Sequence, residues 1–104
     1  MKTDAVTIAT TFIRLLKKSG IVVEQAFLFG SHARGKAHSY SDIDVCVISP
    51  MFGEDPIAEM TSLRHLAYPL DPRIEPITLH PRDMTDRYSA IVSEVKLHGI
   101  PLSE

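Results

Sequence analysis

Two aspartates, Asp42 and Asp44, are the residues of this sequence whose type and spacing are best suited to chemistry. They open the segment Asp42–Ile48, in which every second residue is apolar: Ile43, Val45 and Val47. This alternation predicts a strand, and residues two apart on a strand project from the same face. Adjacent carboxylates repel each other unless a cation lies between them, and Mg²⁺ prefers such hard oxygen ligands together with waters and phosphates. We therefore expect Asp42 and Asp44 to bind magnesium.

A glycine-serine pair lies upstream, where a strand is predicted to end. The segment Val22–Phe29 is rich in β-branched and aromatic residues and stops at Gly30, which is typical of a buried strand followed by a turn. We expect the chain to turn at Gly30, form a short helix and break again at Gly35. Backbone N–H groups at such a turn, together with the Ser31 hydroxyl, can receive phosphate oxygens.

Two cationic side chains, Arg34 and Lys36, follow in the same segment. Their positive charge suits the remaining negative charge of a triphosphate. We therefore predict a nucleotide-binding loop made of Gly30, Ser31, Arg34 and Lys36.

A third carboxylate would complete such a site, because an acceptor hydroxyl must lose its proton as it attacks phosphorus. Glu75 is the candidate, on a strand predicted over Arg73–Leu79, and Asp71 replaces it if that strand is offset. In two-metal sites one ion activates the attacking oxygen and the other stabilises the leaving group. We expect Asp42, Asp44 and Glu75 to hold two Mg²⁺ ions beside a nucleoside triphosphate.

Helices must surround these strands. The apolar spacing predicts a first helix from Thr3 to Lys18. A second helix is outlined by Met60, Leu63, Ala67 and Leu70. The last helix is predicted to begin near Pro81 to Asp83, to continue through Met84, Tyr88, Ile91 and Val95, and to end at Gly99. Pro76 places the third strand at an edge or a bulge. Twelve residues, 30 to 41, join the first two strands, enough for an antiparallel return and barely enough for a parallel crossover. The expected fold class is α/β, a small sheet of at least three strands covered by helices.

Length, charge and composition narrow the range of possible functions. A length of 104 residues predicts a single domain over the whole chain, and a net charge of −2 argues against non-specific binding to nucleic acid. No apolar run is long enough to span a membrane, and the N-terminus lacks a secretory signal. The one cysteine, Cys46, cannot form an intramolecular disulfide, so we expect a cytoplasmic protein.

These residues carry a resemblance to a known family. Gly30-Ser31, ten intervening residues and Asp42-Ile43-Asp44 resemble the signature of the DNA polymerase β-type nucleotidyltransferase superfamily. The fuller Gly-Ser-His-Ala-Arg-Gly and Ser-Asp-Ile-Asp pattern resembles its minimal nucleotidyltransferase (MNT) branch. The likeness extends over nearly the whole chain, from the opening helix to His98-Gly99-Ile100.

The resemblance implies a mixed sheet, phosphate binding by Ser31, Mg²⁺ ligation by Asp42 and Asp44, and Glu75 as the third acid. It also implies a partner. Minimal nucleotidyltransferases are often antitoxins of a HEPN-domain ribonuclease toxin, to which they transfer AMP from ATP at a tyrosine. The third acid is Asp in much of the superfamily, whereas Glu75 is one methylene longer and precedes a proline.

Alternatives remain open at this point. An antitoxin that only masks its partner would leave nucleotide binding vestigial. A small-molecule nucleotidyltransferase of the aminoglycoside type would need an acceptor pocket, which the sequence does not show unless a homodimer builds one. Paired aspartates on a strand are more often a solvated face, and only their spacing from Gly30-Ser31 favours a site. The histidines lack zinc spacing, and Cys46 is interpreted as a buried filler.

Overall fold

The computed structural model describes residues 4–103, so Thr3, where the first helix was predicted to begin, lies outside the described residues. Within that range the chain forms four strands, three α-helices and a 3₁₀-helix. In chain order these are α1 (Ala5–Lys18), β1 (Gln25–Phe29), β2 (Ile43–Ile48), α2 (Pro56–Ala67), β3 (Ile74–Leu79), the 3₁₀-helix (Pro81–Thr85), α3 (Ala90–His98) and β4 (Ile100–Pro101).

The strands form one mixed sheet in the order β3-β2-β1-β4. β1 runs antiparallel to β2 and to β4, whereas β2 and β3 are parallel and joined through α2. The mixed sheet and the α/β class are thus confirmed, and the connection between the first two strands is an antiparallel return. β3 is an edge strand, which agrees with Pro76, since proline has no N–H to donate to a further strand.

One face of the sheet is closed by α1 and α2. The side chain of Asp4 accepts a hydrogen bond from the Val6 N–H and caps α1, and Gly20 ends that segment with φ of 94°. The buried residues of this face come from α1, α2, alternate positions of β1 and β2, the start of β3 and the loop after β2: Ala9, Phe12, Ile13, Leu16, Ala26, Leu28, Ile43, Val45, Val47, Phe52, Leu63, Ala67 and Ile74. The alternation predicted for β2 is confirmed.

The opposite face is covered along only part of its length. Phe29, Cys46 and Ile48 form a second apolar cluster with Val95 of α3. Because side chains alternate along a strand, Asp44 lies on the same face as Cys46, one step nearer the start of β2. The α3 face therefore carries both a small core and the acidic residues.

Several element boundaries differ from the prediction: β2 and β3 begin one residue later, at Ile43 and Ile74, and α2 ends at Ala67, before Leu70. The first strand begins at Gln25 rather than Val22, because β2 ends at Ile48, the partner of Gln25, and leaves residues 22–24 without a strand opposite. The short helix expected after Gly30 is a single turn: the Arg34 N–H donates to the Gly30 carbonyl at 3.1 Å, and Gly35, with φ of 73°, ends it.

The last predicted helix is two elements. The 3₁₀-helix ends at Asp86, whose φ of −80° and ψ of 100° are extended, and α3 restarts with Ser89 as its N-cap. Tyr88, placed inside that helix by the sequence, lies between the two elements and is exposed.

The two-residue strand β4 was not predicted, because its pairing with β1 joins residues far apart in sequence. No helix within residues 4–103 has the length and apolar character needed to span a bilayer.

Candidate active site

The glycine-serine bend and the acid pair meet at the end of β1. Phe29 is the register partner of Asp44, so Gly30 follows directly beside that aspartate. Gly30 has φ of 77°, and a Cβ built on it would lie 2.1 Å from Asp44 Oδ2. Only glycine leaves room for the carboxylate here. The bend and the aspartate are thus in direct contact, as the sequence hypothesis requires.

Three carboxylates lie in this region. Asp44 is half-buried, Asp42 is exposed just before β2, and Glu75 is the register partner of Asp44 on β3. Burial raises the pKa of the Asp44 carboxyl most, and the negative charges of Asp42 and Glu75 raise it further. His32 and Arg34 lower it by a smaller amount. Burial, and to a lesser degree the neighbouring carboxylates, therefore disfavour the ionised form of Asp44, and a bound cation would favour that form.

Glu75 also contacts a cation outside the cluster. Its carboxylate is paired with Arg64 of α2, and both side chains are partly exposed. Within residues 4–103, no group of three His, Cys, Asp or Glu side chains is arranged as a preformed metal-binding site. Asp42 and Asp44 could still hold Mg²⁺, which commonly takes only one or two protein carboxylates and completes its shell with phosphates and water.

Asp71, the other candidate for the third acid, is engaged elsewhere. Its carboxylate accepts hydrogen bonds from the Arg73 backbone N–H at 2.9 Å and from the guanidinium at 2.9 and 3.1 Å. These hydrogen bonds lower the pKa of Asp71. The structure thus brings Glu75, and not Asp71, beside Asp44.

Within residues 4–103, the turn after Gly30 leaves two backbone donors unused. The N–H groups of Ala33 and Arg34 are used by the Gly30 carbonyl, and that of Lys36 by the Ser31 carbonyl. Among the described residues, the N–H groups of Ser31 and His32 have no hydrogen-bond partner. Two successive N–H groups beside a hydroxyl are a suitable receptor for phosphate oxygens.

The two predicted cations differ in their surroundings. Arg34 donates from Nη1 to Glu94 Oε2 of α3 at 2.7 Å, and its charge reaches Asp44. Lys36 is exposed at the end of the turn, and the structure gives its side chain no contact with the carboxylates. Arg34 is therefore the better placed of the two to contact phosphate near Asp44.

A cavity of about 620 Å³ adjoins the bend on the side of the α1 N-terminus. Leu28, Val6 and Ile100 supply apolar lining, and His38, Ser39 and Arg73 supply polar groups. His32 lines this cavity and also lowers the pKa of Asp44, so the cavity and the acid cluster share one side chain. No sequence pattern predicted this cavity.

Two residues of the site were missed at the sequence level. Arg64 lies in the last turn of α2, where a cation is already expected from the helix dipole, and Glu94 sits on α3 among ordinary polar residues. Each meets its partner across a long stretch of chain, so no local pattern marks either one.

A family model for the nucleotidyltransferase domain matches residues 9–98, a stretch that includes the bend, both aspartates and Glu75. The chain belongs to the nucleotidyltransferase domain family. It is therefore a nucleotidyltransferase, and the fold described above is the nucleotidyltransferase fold. No curated protein matches the sequence.

Solved structures share this fold. A chain in a crystal structure of a toxin-antitoxin with AMP-PNP is 26% identical with a TM-score of 0.67, over 90% of this chain and 72% of that one. A mutant of the toxin-antitoxin MntA-HpeT is 26% identical with a TM-score of 0.62, over 91% and 72% of the two chains. A nucleotidyltransferase structure from Sulfolobus solfataricus, at 17% identity and a TM-score of 0.62, covers 96% and 87% and supports the fold alone.

Proposed function

We propose that this nucleotidyltransferase transfers AMP from ATP, with magnesium, to a hydroxyl of a partner protein. The partner is a HEPN-domain ribonuclease toxin modified at a tyrosine, and the chain acts as its antitoxin. The contact between Gly30 and the Asp44 carboxylate carries the chemical part of the proposal. The likeness to toxin-antitoxin structures, one of them with AMP-PNP, supports the partner and the nucleotide.

The turn after β1 would bind the triphosphate. The N–H groups of Ser31 and His32, together with the Ser31 hydroxyl, offer donors next to Asp44 without disturbing the hydrogen bonds that close the turn. Arg34, held by Glu94 on α3, adds a positive charge. These groups would orient the triphosphate toward the carboxylates.

Asp42 and Asp44 would hold the metal, with Glu75 beside them. Burial opposes ionisation of Asp44 most, and the negative charges of Asp42 and Glu75 add to this, so the donor set fits a divalent cation. When bound, Mg²⁺ supplies positive charge that offsets the charge of the phosphates in the transition state.

The transfer itself exchanges one phosphorus–oxygen bond for another. The acceptor hydroxyl oxygen attacks the α-phosphorus of ATP, and the bond from that phosphorus to the pyrophosphate oxygen breaks. Glu75 is the candidate to receive the hydroxyl proton, because β3 places it beside Asp44 and its side chain is partly exposed. The AMP group ends on the acceptor, and pyrophosphate leaves.

A protein acceptor agrees with the architecture of the described residues. Residues 4–103 are used in the sheet, its covering helices and their connections, so they leave no separate module for a template or a tRNA.

Cys46 is buried, with its pKa raised to about 12 by burial, and can make no intramolecular disulfide. We infer a cytoplasmic location from this.

Intact-mass measurement tests the proposal. The purified chain is incubated with Mg-ATP and the product of the adjacent gene, and a mass gain of whole AMP units on that partner is expected. Asp44→Asn should abolish the gain, whereas Glu24→Gln, which changes an exposed acid at the far end of β1, should preserve it. Inhibition of the partner without any mass gain would show masking instead, and would overturn the enzymatic proposal.

The 620 Å³ cavity favours a second candidate, nucleotidyl transfer to a small hydroxyl compound such as an aminoglycoside. Its volume lies in the range of small-molecule sites, and His32 links it to the acid cluster. Incubation with Mg-ATP and a panel of aminoglycosides, followed by mass spectrometry of the small molecules, decides this candidate. Adenylylated product in the absence of any partner protein would support it, and unmodified compounds would exclude it for the panel tested.

A further inference from the structure

Glu75 has a cation partner whose role the proposed function leaves open. Arg64 pairs with the Glu75 carboxylate from the last turn of α2, eleven residues earlier in the chain. Its position is fixed by the helix, because Leu63 and Ala67 on either side are buried against the sheet. The guanidinium itself is partly exposed, so its removal leaves the core untouched.

The pair acts on the acid cluster through Glu75. Glu75 is the register neighbour of Asp44 and one of the charges that raise its pKa, whereas the groups that lower that pKa are His32 and Arg34. A cation that draws the Glu75 carboxylate toward α2 fixes its orientation. The same cation competes with any metal ion for that carboxylate.

We propose that Arg64 is a positioning residue of the active site: it holds the Glu75 carboxylate at the edge of the acid cluster and limits how strongly that carboxylate binds the metal. The inference rests on the proposed function, because it takes Glu75 as the third acid. Helix-dipole stabilisation alone would explain an arginine in the last turn of α2 but not its pairing with Glu75.

Opposite changes in metal affinity and rate follow from this role. Arg64→Ala frees Glu75 for the metal, so the dissociation constant for Mn²⁺ should fall about two- to fivefold, the range expected for a partly exposed pair. The same variant loses the orientation of Glu75, so kcat for AMP transfer should fall about 10- to 100-fold, as for partners that orient metal-site carboxylates. KM for ATP should stay unchanged, because Arg64 contacts the carboxylate and not the phosphates.

Mn²⁺ binding measured by electron paramagnetic resonance, with the non-hydrolysable α,β-methylene ATP present, tests the inference without turnover. Arg64→Lys retains the charge and should keep an affinity close to that of the unmodified chain. Arg14→Ala, on α1, makes the same change in net charge and should leave the affinity unchanged. In the Glu75→Gln background, Arg64→Ala should have no further effect, because the carboxylate it acts on is gone.

The outcomes separate this inference from the proposed function. If the unmodified chain binds no Mn²⁺ with the analogue, the metal site fails and the inference fails with it. If the unmodified chain binds Mn²⁺ and Arg64→Ala binds it equally or more weakly, only the inference is overturned. A rise in KM for ATP with unchanged kcat would instead make Arg64 a phosphate ligand, and would also overturn the positioning role.

Discussion

The two faces of the central sheet differ in how completely they are covered, and the strand β2 contributes to both. Its odd-numbered residues, Ile43, Val45 and Val47, are fully buried under α1 and α2. Its even-numbered residues pass from Cys46, buried beneath α3, to half-buried Asp44 at the uncovered end. The covered face should determine stability, and the uncovered end of the other face should determine activity. Substitutions on the two faces should therefore separate stability from catalysis.

On the covered face, Phe12→Ala should give the largest loss of stability. Phe12 is fully buried between α1 and the sheet, so truncation leaves a cavity that costs about 3–5 kcal/mol. Urea unfolding measures the loss, and AMP transfer per folded molecule should remain unchanged. Loss of transfer in protein that is still folded would show that the covered face contributes to the site after all.

On the uncovered face, Asp44→Asn should behave in the opposite way. Losing a metal-binding carboxylate should reduce AMP transfer on the order of 10³-fold, which corresponds to several kcal/mol of transition-state stabilisation. Stability should be unchanged or slightly higher, because burial and the charges of Asp42 and Glu75 all oppose the ionised form of Asp44. Rates from the mass assay and melting temperatures of the same preparation give both readouts. A destabilised variant with normal transfer would contradict the comparison.

Two glycines of the turn after β1, Gly30 and Gly35, allow stability and catalytic rate to be compared at matched positions. Gly30 and Gly35 have nearly the same backbone conformation, with φ of 77° and 73°, so alanine at either position should cost about 1–2 kcal/mol of stability. At Gly35 a Cβ meets nothing within 4 Å, whereas at Gly30 it lies 2.1 Å from Asp44 Oδ2. Gly30→Ala must displace the carboxylate, and a shift of this kind can cost about 100-fold in rate.

The measurement for this pair combines urea unfolding with the AMP-transfer rate. Gly35→Ala should lose stability and keep its rate, and Gly30→Ala should lose both. Equal rates in the two variants would mean that the contact between Gly30 and Asp44 plays no part in catalysis.

Much of this arrangement was predictable from local pattern. The alternation from Ile43 to Val47 assigned each residue of β2 to its face, and the spacing between Gly30-Ser31 and Asp42 indicated that bend and acids belong together. Positive φ at Gly30 and Gly35 agrees with the expected turn and break. Such features are encoded within a few residues, where periodicity and backbone preference act directly.

The remaining features depend on contacts between distant residues. β4 has no local strand signal and exists because Ile100 pairs with Leu28 of β1. The interruption of the last helix is the exception: the apolar spacing continues through it, and the Ser89 cap that begins α3 is a local feature. The salt bridge of Arg34 with Glu94 and that of Glu75 with Arg64 arise only when α3 and α2 pack on the sheet. Sequence periodicity cannot specify which charges will meet across such distances.

The smallest predicted effect separates the two candidates for the third acid. Asp71 is a structural acid: its hydrogen bonds to Arg73 lower its pKa below the ordinary value of 3.8. A carboxyl whose pKa is lower in the folded state stabilises the protein above its unfolded pKa, and this stabilisation is lost as pH falls through the folded pKa. Asp71→Asn should therefore cost about 1 kcal/mol at neutral pH, and the difference from the unmodified chain should shrink below pH 3.8.

Urea unfolding of both proteins at neutral pH and at several acidic values measures this cost, and the mass assay shows whether transfer survives. Asp71→Asn should leave AMP transfer intact, because Arg73 occupies both carboxylate oxygens and β3 places Glu75, not Asp71, beside Asp44. A cost that does not change with pH would mean that the charge of Asp71 adds nothing to stability. Loss of AMP transfer in Asp71→Asn would identify Asp71 as the third acid. Glu75, and therefore Arg64, would then have no role in the site.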